Sequence, residues 1–335
     1  MLNATEYQVF FKGYSLVDAA IRSRDSFSFL LKQDEPEGGM PDEAKTGQRV
    51  RLINFFTQAE PNDRIDCGQY LGFLRAKLAV STQPKLQAVL VDSSGEVAVL
   101  GGGDDDMEQT IVEDPDGPRR SIITAVATLF GHVYAVGLWR SVAKRLGPNQ
   151  WESLCTQAIL PKPGTGKGVE FGTHWGFQAI DGFAPDDLYA TGGHGEVWHY
   201  DGQVWKQCPL PTNLVLYNVC CAGDGQVYIG AQSGSILRGR EDHWEVIHQG
   251  SMTLPFKDMV WYQDRVWCTS DYGLWQIVDG QLIEADVPLA VRACAGNLAV
   301  GDGVMLLAGI YGATVYDGQQ WQALIDFFAL AKTAP

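Results

Sequence analysis

Three short stretches carry residue types that could do chemistry. In "PKPGTGKGVE", residues 161–170, Lys167 stands among glycines, as a phosphate-binding lysine would. Such a loop needs Gly, four residues, then Gly-Lys-Ser/Thr between a strand and a helix, so that backbone N–H groups converge on the anion. Pro161 occupies the place of the first glycine and Gly168 follows the lysine, so the stretch reads as a loop without a nucleotide site. "GGHGEVWHY", residues 192–200, offers His194, Glu196 and His199 as metal donors. Strand alternation puts the first two on one side of a sheet and His199 on the other, which leaves zinc short of ligands. Asp104, Asp105 and Asp106 could hold a divalent cation, but no EF-hand-like spacing accompanies them, and they read as an acidic loop.

Sugar hydrolysis of the sialidase kind would need clustered arginines, a Tyr–Glu nucleophile pair and an acidic Asp. The arginines of the regular part of the chain include Arg140, Arg238, Arg240, Arg265 and Arg292, and their spacing does not bring three together. No nucleophilic triad, metal set or cofactor motif emerges. The expectation is a chain without cofactor or catalytic residues.

The elements that position these residues follow from an internal repeat. Leu188-Tyr189, Val227-Tyr228, Val266-Trp267 and Met305-Leu306 step by 39 residues, as do Gly195, Gly234, Gly273 and Gly312. Trp205, Trp244, Leu282 and Trp321 step by 39, 38 and 39. One unit upstream, Val133-Tyr134 and Trp151 are displaced by 55 and 54, which places an insertion of about 15 residues in the loop 156–175. Within the unit 216–247 the pattern is strand a to Ala222, strand b Val227–Ala231, strand c Ser235–Arg238 and strand d Trp244–Ile247. Asp201-Gly202, Asp279-Gly280 and Asp317-Gly318 mark c–d turns, read as two-residue hairpins with positive φ at both positions. The tryptophan that follows opens strand d and packs between sheets.

A four-stranded antiparallel unit of this length cannot bury both faces alone, but a radial stack of such units can. The fold class is therefore all-β: one β-propeller over residues 1–335, with seven blades and six or eight as the neighbouring counts. Residues 1–120 are divergent blades, although "SFSFLLK" and "VRLINFF" read as strands; residues 121–325 are the clear repeats.

Strands of a meander alternate in direction, so the b–c turns and the d–a connections leave one end of the ring and the a–b and c–d turns the other. The b–c end is expected to collect Asp104–Asp106, Trp139, Arg140, His194, Asp271, Tyr272 and Tyr311, together with Lys167, His174 and Trp175 of the insertion. Aromatics ringed by carboxylates suit a protein-binding surface, rigid contact area on one hand and charge steering on the other.

Composition narrows the partner. With 40 Asp+Glu against 25 Lys+Arg the formal charge is −15, which disfavours nucleic acid and anionic membrane and favours a basic protein. The beginning of the chain has no basic leader with a long apolar run, and no window approaches a membrane span. Seven cysteines, an odd number that includes the adjacent Cys220-Cys221, read as reduced thiols of a cytoplasmic protein.

The pattern "VY-x-G … G-x-VW-x-YDG-x-x-W" over residues 121–325 resembles bacterial propellers of the WD, YVTN and BNR-type repeat group. The full Ser-x-Asp-x-Gly-x-x-Trp box is completed in no blade; "YDGQVW" is its tail. In its acidity and lack of a catalytic set the chain is similar to small cytoplasmic propeller immunity proteins that neutralise antibacterial toxins, some of them nucleases. That resemblance implies a non-catalytic binder of a basic protein, a nuclease toxin being one such partner. The alternative is a sugar- or small-molecule-binding propeller, with or without glycan hydrolysis, using the same end of the ring.

Overall fold

In the computed structural model, which describes residues 1–35, 47, 49–61, 63–73, 75–163 and 176–333, the strands form seven four-stranded antiparallel sheets. In chain order the blades span Tyr14–Leu71, Lys77–Glu108, Ile123–Ser153, Phe177–Cys208, Leu216–His248, Asp258–Glu284 and Asn297–Asp326. Each is built from four consecutive strands, a innermost and d outermost.

The sequence dictates this layering. Strands b such as Val227–Ala231, Val266–Ser270 and Val304–Gly309 are buried throughout, because neighbouring blades cover both faces. They are mainly apolar for that reason, with Thr269 and Ser270 as buried exceptions. Strands d such as Gln281–Glu284 lie at the rim and are largely exposed. Trp205 fills the space between blades 3 and 4, where its ring lies 5.9 Å from that of Phe177 and its Nε1–H donates to the Leu154 carbonyl at 2.9 Å. Trp244, Leu282 and Trp321 take the equivalent slot one, two and three blades on, each partly buried against the preceding blade.

The four landmark glycines stand at b–c turns. Gly195 and Gly234 close single 3-10 turns at φ 70° and 76°, and Gly273 and Gly312 begin strand c. A second set escaped the repeat analysis: Gly137, Gly192 and Gly309 end strand b in blades 3, 4 and 7. A Cβ on them would strike the backbone of Ile122, Gly176 and Ala295, where the chain arrives to begin strand a.

The c–d turns differ from expectation in two blades. Of the three Asp-Gly turns, Asp279-Gly280 alone has two residues, flanked by the pair Val278 and Gln281, with φ of 50° and 74°. In blades 4 and 7 the loop has four residues, between the pairs Tyr200–Trp205 and Tyr316–Trp321. There the aspartate supplies a side-chain acceptor instead of a positive φ. Asp201 Oδ1 accepts from the N–H groups of Gln203 and Val204 at 3.1 and 2.9 Å, and Asp317 Oδ1 does so from Gln319 and Gln320 at 2.8 Å each.

The ring closes between blades 7 and 1 without exchanging a strand. The segment before blade 1 spans the seam: Leu2 N–H donates to the Leu324 carbonyl at 2.8 Å, and Leu2 and Phe11 enter one core with Leu16, Phe27, Leu324 and Leu330.

Strands a surround a central channel of about 1150 Å³. Polar side chains tie successive strands a together across this wall at five of the junctions. Asp18 accepts from Leu78 N–H at 2.9 Å, Asp181 from Cys221 N–H at 2.7 Å and Asp258 from Leu298 N–H at 3.0 Å. Asn218 donates to the Phe256 carbonyl at 2.7 Å, and Thr124 to that of Phe177 at 2.5 Å. Burial pushes the Asp181 carboxyl up to about 6 and that of Asp258 up to about 7, against the pull of their backbone donors.

Candidate protein-binding face

The b–c turns of blades 3 to 7 converge on one end of the ring. They are Leu138–Arg140, Gly193–Gly195, Gln232–Gly234, Asp271-Tyr272 and Ile310-Tyr311. The d–a connections leave from the same end, as does the segment Phe327–Thr333 that follows the last strand d as a short helix.

Tyr272 projects from its hairpin with 72% of its surface exposed. Its neighbour Asp271 lies 3.7 Å from Lys257 Nζ, and both charges are exposed. Tyr311 stacks on Phe328 with centroids 4.8 Å apart and planes at 14°, and half of each ring faces solvent. Ile310 and Leu289 add exposed apolar surface at the same end. Phe328 and Leu289 were missed by sequence reasoning. They sit outside the repeat, on short helical segments whose facing the strand pattern does not fix, and the run "DFFAL" was the available signal.

Trp139 is half-buried at φ 59°, and its carbonyl accepts from Arg120 Nη1 at 3.3 Å. The expectation that Arg140 meets a partner is corrected: its guanidinium is buried in the junction of blades 3 and 4. Nε and Nη2 bind the Glu196 carboxylate at 3.1 and 2.5 Å, Nη1 donates to the Pro161 carbonyl at 2.8 Å, and the Trp198 ring lies 4.4 Å away. A repeat landmark places Arg140 in a b–c turn but cannot tell that Glu196 of the next blade will face it.

Asp104, Asp105 and Asp106 are also placed differently from expectation. They begin strand d of blade 2, Asp104–Glu108, immediately after its c–d turn, and so lie at the opposite end of the ring. The b–c turn of that blade is Asp92–Glu96. Without a repeat landmark in this divergent blade, a polar run after three glycines looked like the b–c turn. Gly101 in fact ends strand c, and Asp106 is exposed at the rim.

Lys167, His174 and Trp175 lie outside the described residues, as does the side chain of His194. The start of the insertion is firmly based. Trp205 N–H donates to the Ile159 carbonyl at 2.8 Å and Arg120 Nη2 to that of Leu160 at 2.7 Å. With the Arg140–Pro161 bond, two buried guanidiniums hold consecutive carbonyls of the strand-leaving chain.

The remaining arginines of the regular blades are held apart in separate contacts: Arg145 with Glu108, Arg238 with Glu245, Arg240 with Asp187, Arg265 with Gln276 and Arg292 with Glu284. His199 Nε2 meets Asp187 Oδ1 at 2.8 Å and stacks on Tyr189, a packing role. Among the described residues no three His, Cys, Asp or Glu side chains gather as a metal site, and no helix is long and apolar enough to cross a membrane. All seven cysteines are free, and burial pushes the thiols of Cys208 and Cys294 up to about 12 and about 11.

No protein-family model matches the chain. It is 35% identical to the immune protein Tsi7 of Pseudomonas aeruginosa over 239 residues, which cover 71% of this chain and 76% of that protein. Among solved structures, the WD40 β-propeller domain of Doa1 superimposes with a TM-score of 0.56 at 8% identity, covering 90% of this chain and 92% of that one. YCF48 bound to the D1 peptide gives a TM-score of 0.57 at 13% identity, covering 91% and 94%. At such identities these structures speak for the fold alone.

Proposed function

The chain belongs to the family of the immune protein Tsi7, and from that membership we propose that it is a non-catalytic immunity propeller that neutralises a toxin through the b–c end of its ring. The relationship to Tsi7 carries the immunity reading. The choice of end is supported by the exposed Tyr272, Tyr311, Phe328 and Leu289, large apolar groups held on rigid turns, as an interface core requires.

Trp139, Asp271, Tyr272 and Tyr311 form the central contacts in this reading, and His194 and the loop carrying Lys167, His174 and Trp175 extend the face. The formal charge of −15 favours a toxin that is basic, as nucleases are, because a basic partner is steered toward an acidic one before contact. The free thiols fit a protein that acts in the reducing cytoplasm. A glycan-active alternative has less support: the relative is an immune protein, and the arginines are each engaged with a separate partner.

The reading is tested by capturing the tagged protein from its native cell. One stoichiometric partner is expected, whose expression alone arrests growth and whose arrest is lifted by co-expression of this chain. Failure to lift the arrest, or glycan turnover without a protein partner, would overturn it.

A further inference from the structure

The b–c end is not uniformly acidic. Beside the channel mouth, between blades 1 and 2, a pocket of about 430 Å³ opens at this end. Leu30, Val50 and Phe73 give it an apolar floor, and all three are buried in the core. Lys32, Arg75 and Lys77 supply its charge, and among the described residues no carboxylate lines it.

Among the described residues none of these three cations has a carboxylate at ion-pair distance. Acidic groups around them are already engaged: Asp258, on which Lys77 also acts, accepts from Leu298 N–H at 3.0 Å. Asp18 accepts from the N–H groups of Ala19 and Leu78, both at 2.9 Å, and acts on Lys77 only at longer range. Asp92 accepts from the N–H groups of Arg75 and Ser94 at 3.2 and 3.1 Å. Lys32 is half-buried, Arg75 and Lys77 are exposed, and three like charges lining one pocket repel one another, a cost that a bound anion relieves. In a chain of net charge −15, free cations gathered in one concavity are a departure from the surface average.

Resting on the immunity reading, we propose that this pocket takes an acidic side chain of the toxin, its apolar stem on the Leu30, Val50 and Phe73 floor and its carboxylate among Lys32, Arg75 and Lys77. The toxin is then bound by charges of both signs. Its basic surface is steered to the acidic ring, and one carboxylate fixes the register in which it docks. A basic protein lacking that carboxylate leaves three cations unpaired in the interface, so the pocket selects against wrong partners.

The test compares the parent protein with the variant Lys32→Gln/Arg75→Gln/Lys77→Gln in two titrations, one with the toxin and one with N-acetyl-leucyl-glutamate followed by NMR. Both proteins should melt alike, since none of the three side chains makes an ion pair in the fold. The variant's Kd for the toxin should rise at least about tenfold. The dipeptide should bind the parent weakly and saturably, the variant not at all, and its glutamine analogue should bind neither. Equal toxin affinity of parent and variant overturns the proposal while leaving the immunity function standing. Loss of dipeptide binding with toxin affinity unchanged assigns the pocket to a free small anion and overturns it too. A parent protein that binds no toxin removes the immunity reading itself.

Discussion

The two ends of the ring are made by the same strands, yet their turns treat polar groups differently. At the c–d end the turns satisfy themselves. Asp201 and Asp317 accept their own loop N–H groups, and the Tyr200 and Tyr316 hydroxyls donate to the carbonyls of Gly202 and Gly318 at 3.0 Å each. At the b–c end Trp139, Arg140 and Ser233 adopt φ of 59°, 58° and 60°, and Tyr272, Ile310 and Tyr311 stand exposed. One end spends its side chains on closing turns, and the other leaves large apolar groups uncovered. The difference teaches that sequence regularity marks the structural end and irregularity the end available for binding.

The comparison can be broken most forcefully at Trp205. It belongs to the structural end and is buried, so Trp205→Ala should cost about 3–5 kcal/mol in chemical denaturation. Trp244→Ala and Trp321→Ala should cost less, since both rings are only half-buried. A Trp205→Ala protein that unfolds like its parent would mean the blade junctions are not held by this slot.

Tyr272→Ala should do the reverse. The side chain is 72% exposed, so melting should be unchanged, whereas toxin affinity should fall by about 2 kcal/mol, mainly through a faster off-rate. Unaltered binding kinetics would move the interface away from blade 6.

The channel wall that joins the two ends should register in pH. Asp258 holds its proton up to about 7 in the fold, against 3.8 as its ordinary value. A proton held more tightly in the folded state stabilises the fold below the ordinary value, and that contribution is lost as pH rises through the folded one. Stability should therefore decline from about pH 4 to about pH 7, by a few kcal/mol at roughly 1.4 kcal/mol per pH unit. Asp258→Asn, which keeps an acceptor for Leu298 N–H, should flatten the decline, and a pH profile identical to the parent's would count against this account.

The smallest effect is expected from Asp104→Asn/Asp105→Asn/Asp106→Asn. A five-residue strand d such as Asp104–Glu108 spans about 17 Å, roughly two Debye lengths at physiological salt. Charges at the c–d end are thus screened from a toxin at the b–c end. Association should slow less than about twofold at that ionic strength, and a pronounced loss of on-rate would place the toxin at the Asp-rich end instead.

How much of this was legible depended on which residues repeat. Wherever the landmarks held, strand order and turn position could be read directly: strand b of blade 5 runs Val227–Ala231 as the apolar run indicated. In blade 2 they were absent, and the acidic run was assigned to the wrong end of its blade. Arg140 failed for another reason. Its partner Glu196 is a blade away, 56 residues along the chain, and no local pattern couples the two.

The sequence by itself determined the all-β class, the stacking of repeated four-stranded units and the acidic character, because periodicity, turn chemistry and charge are local or summed properties. Tertiary structure alone decided which charges stay free. Ring closure buries Arg140 against Glu196 and engages Asp18 and Asp258 as acceptors across blade junctions. It also gathers Lys32, Arg75 and Lys77 from two blades, and among the described residues it gives them no carboxylate. Whether a charged side chain is structural or available depends on what faces it across a junction, and that partner is brought there only by closing the ring.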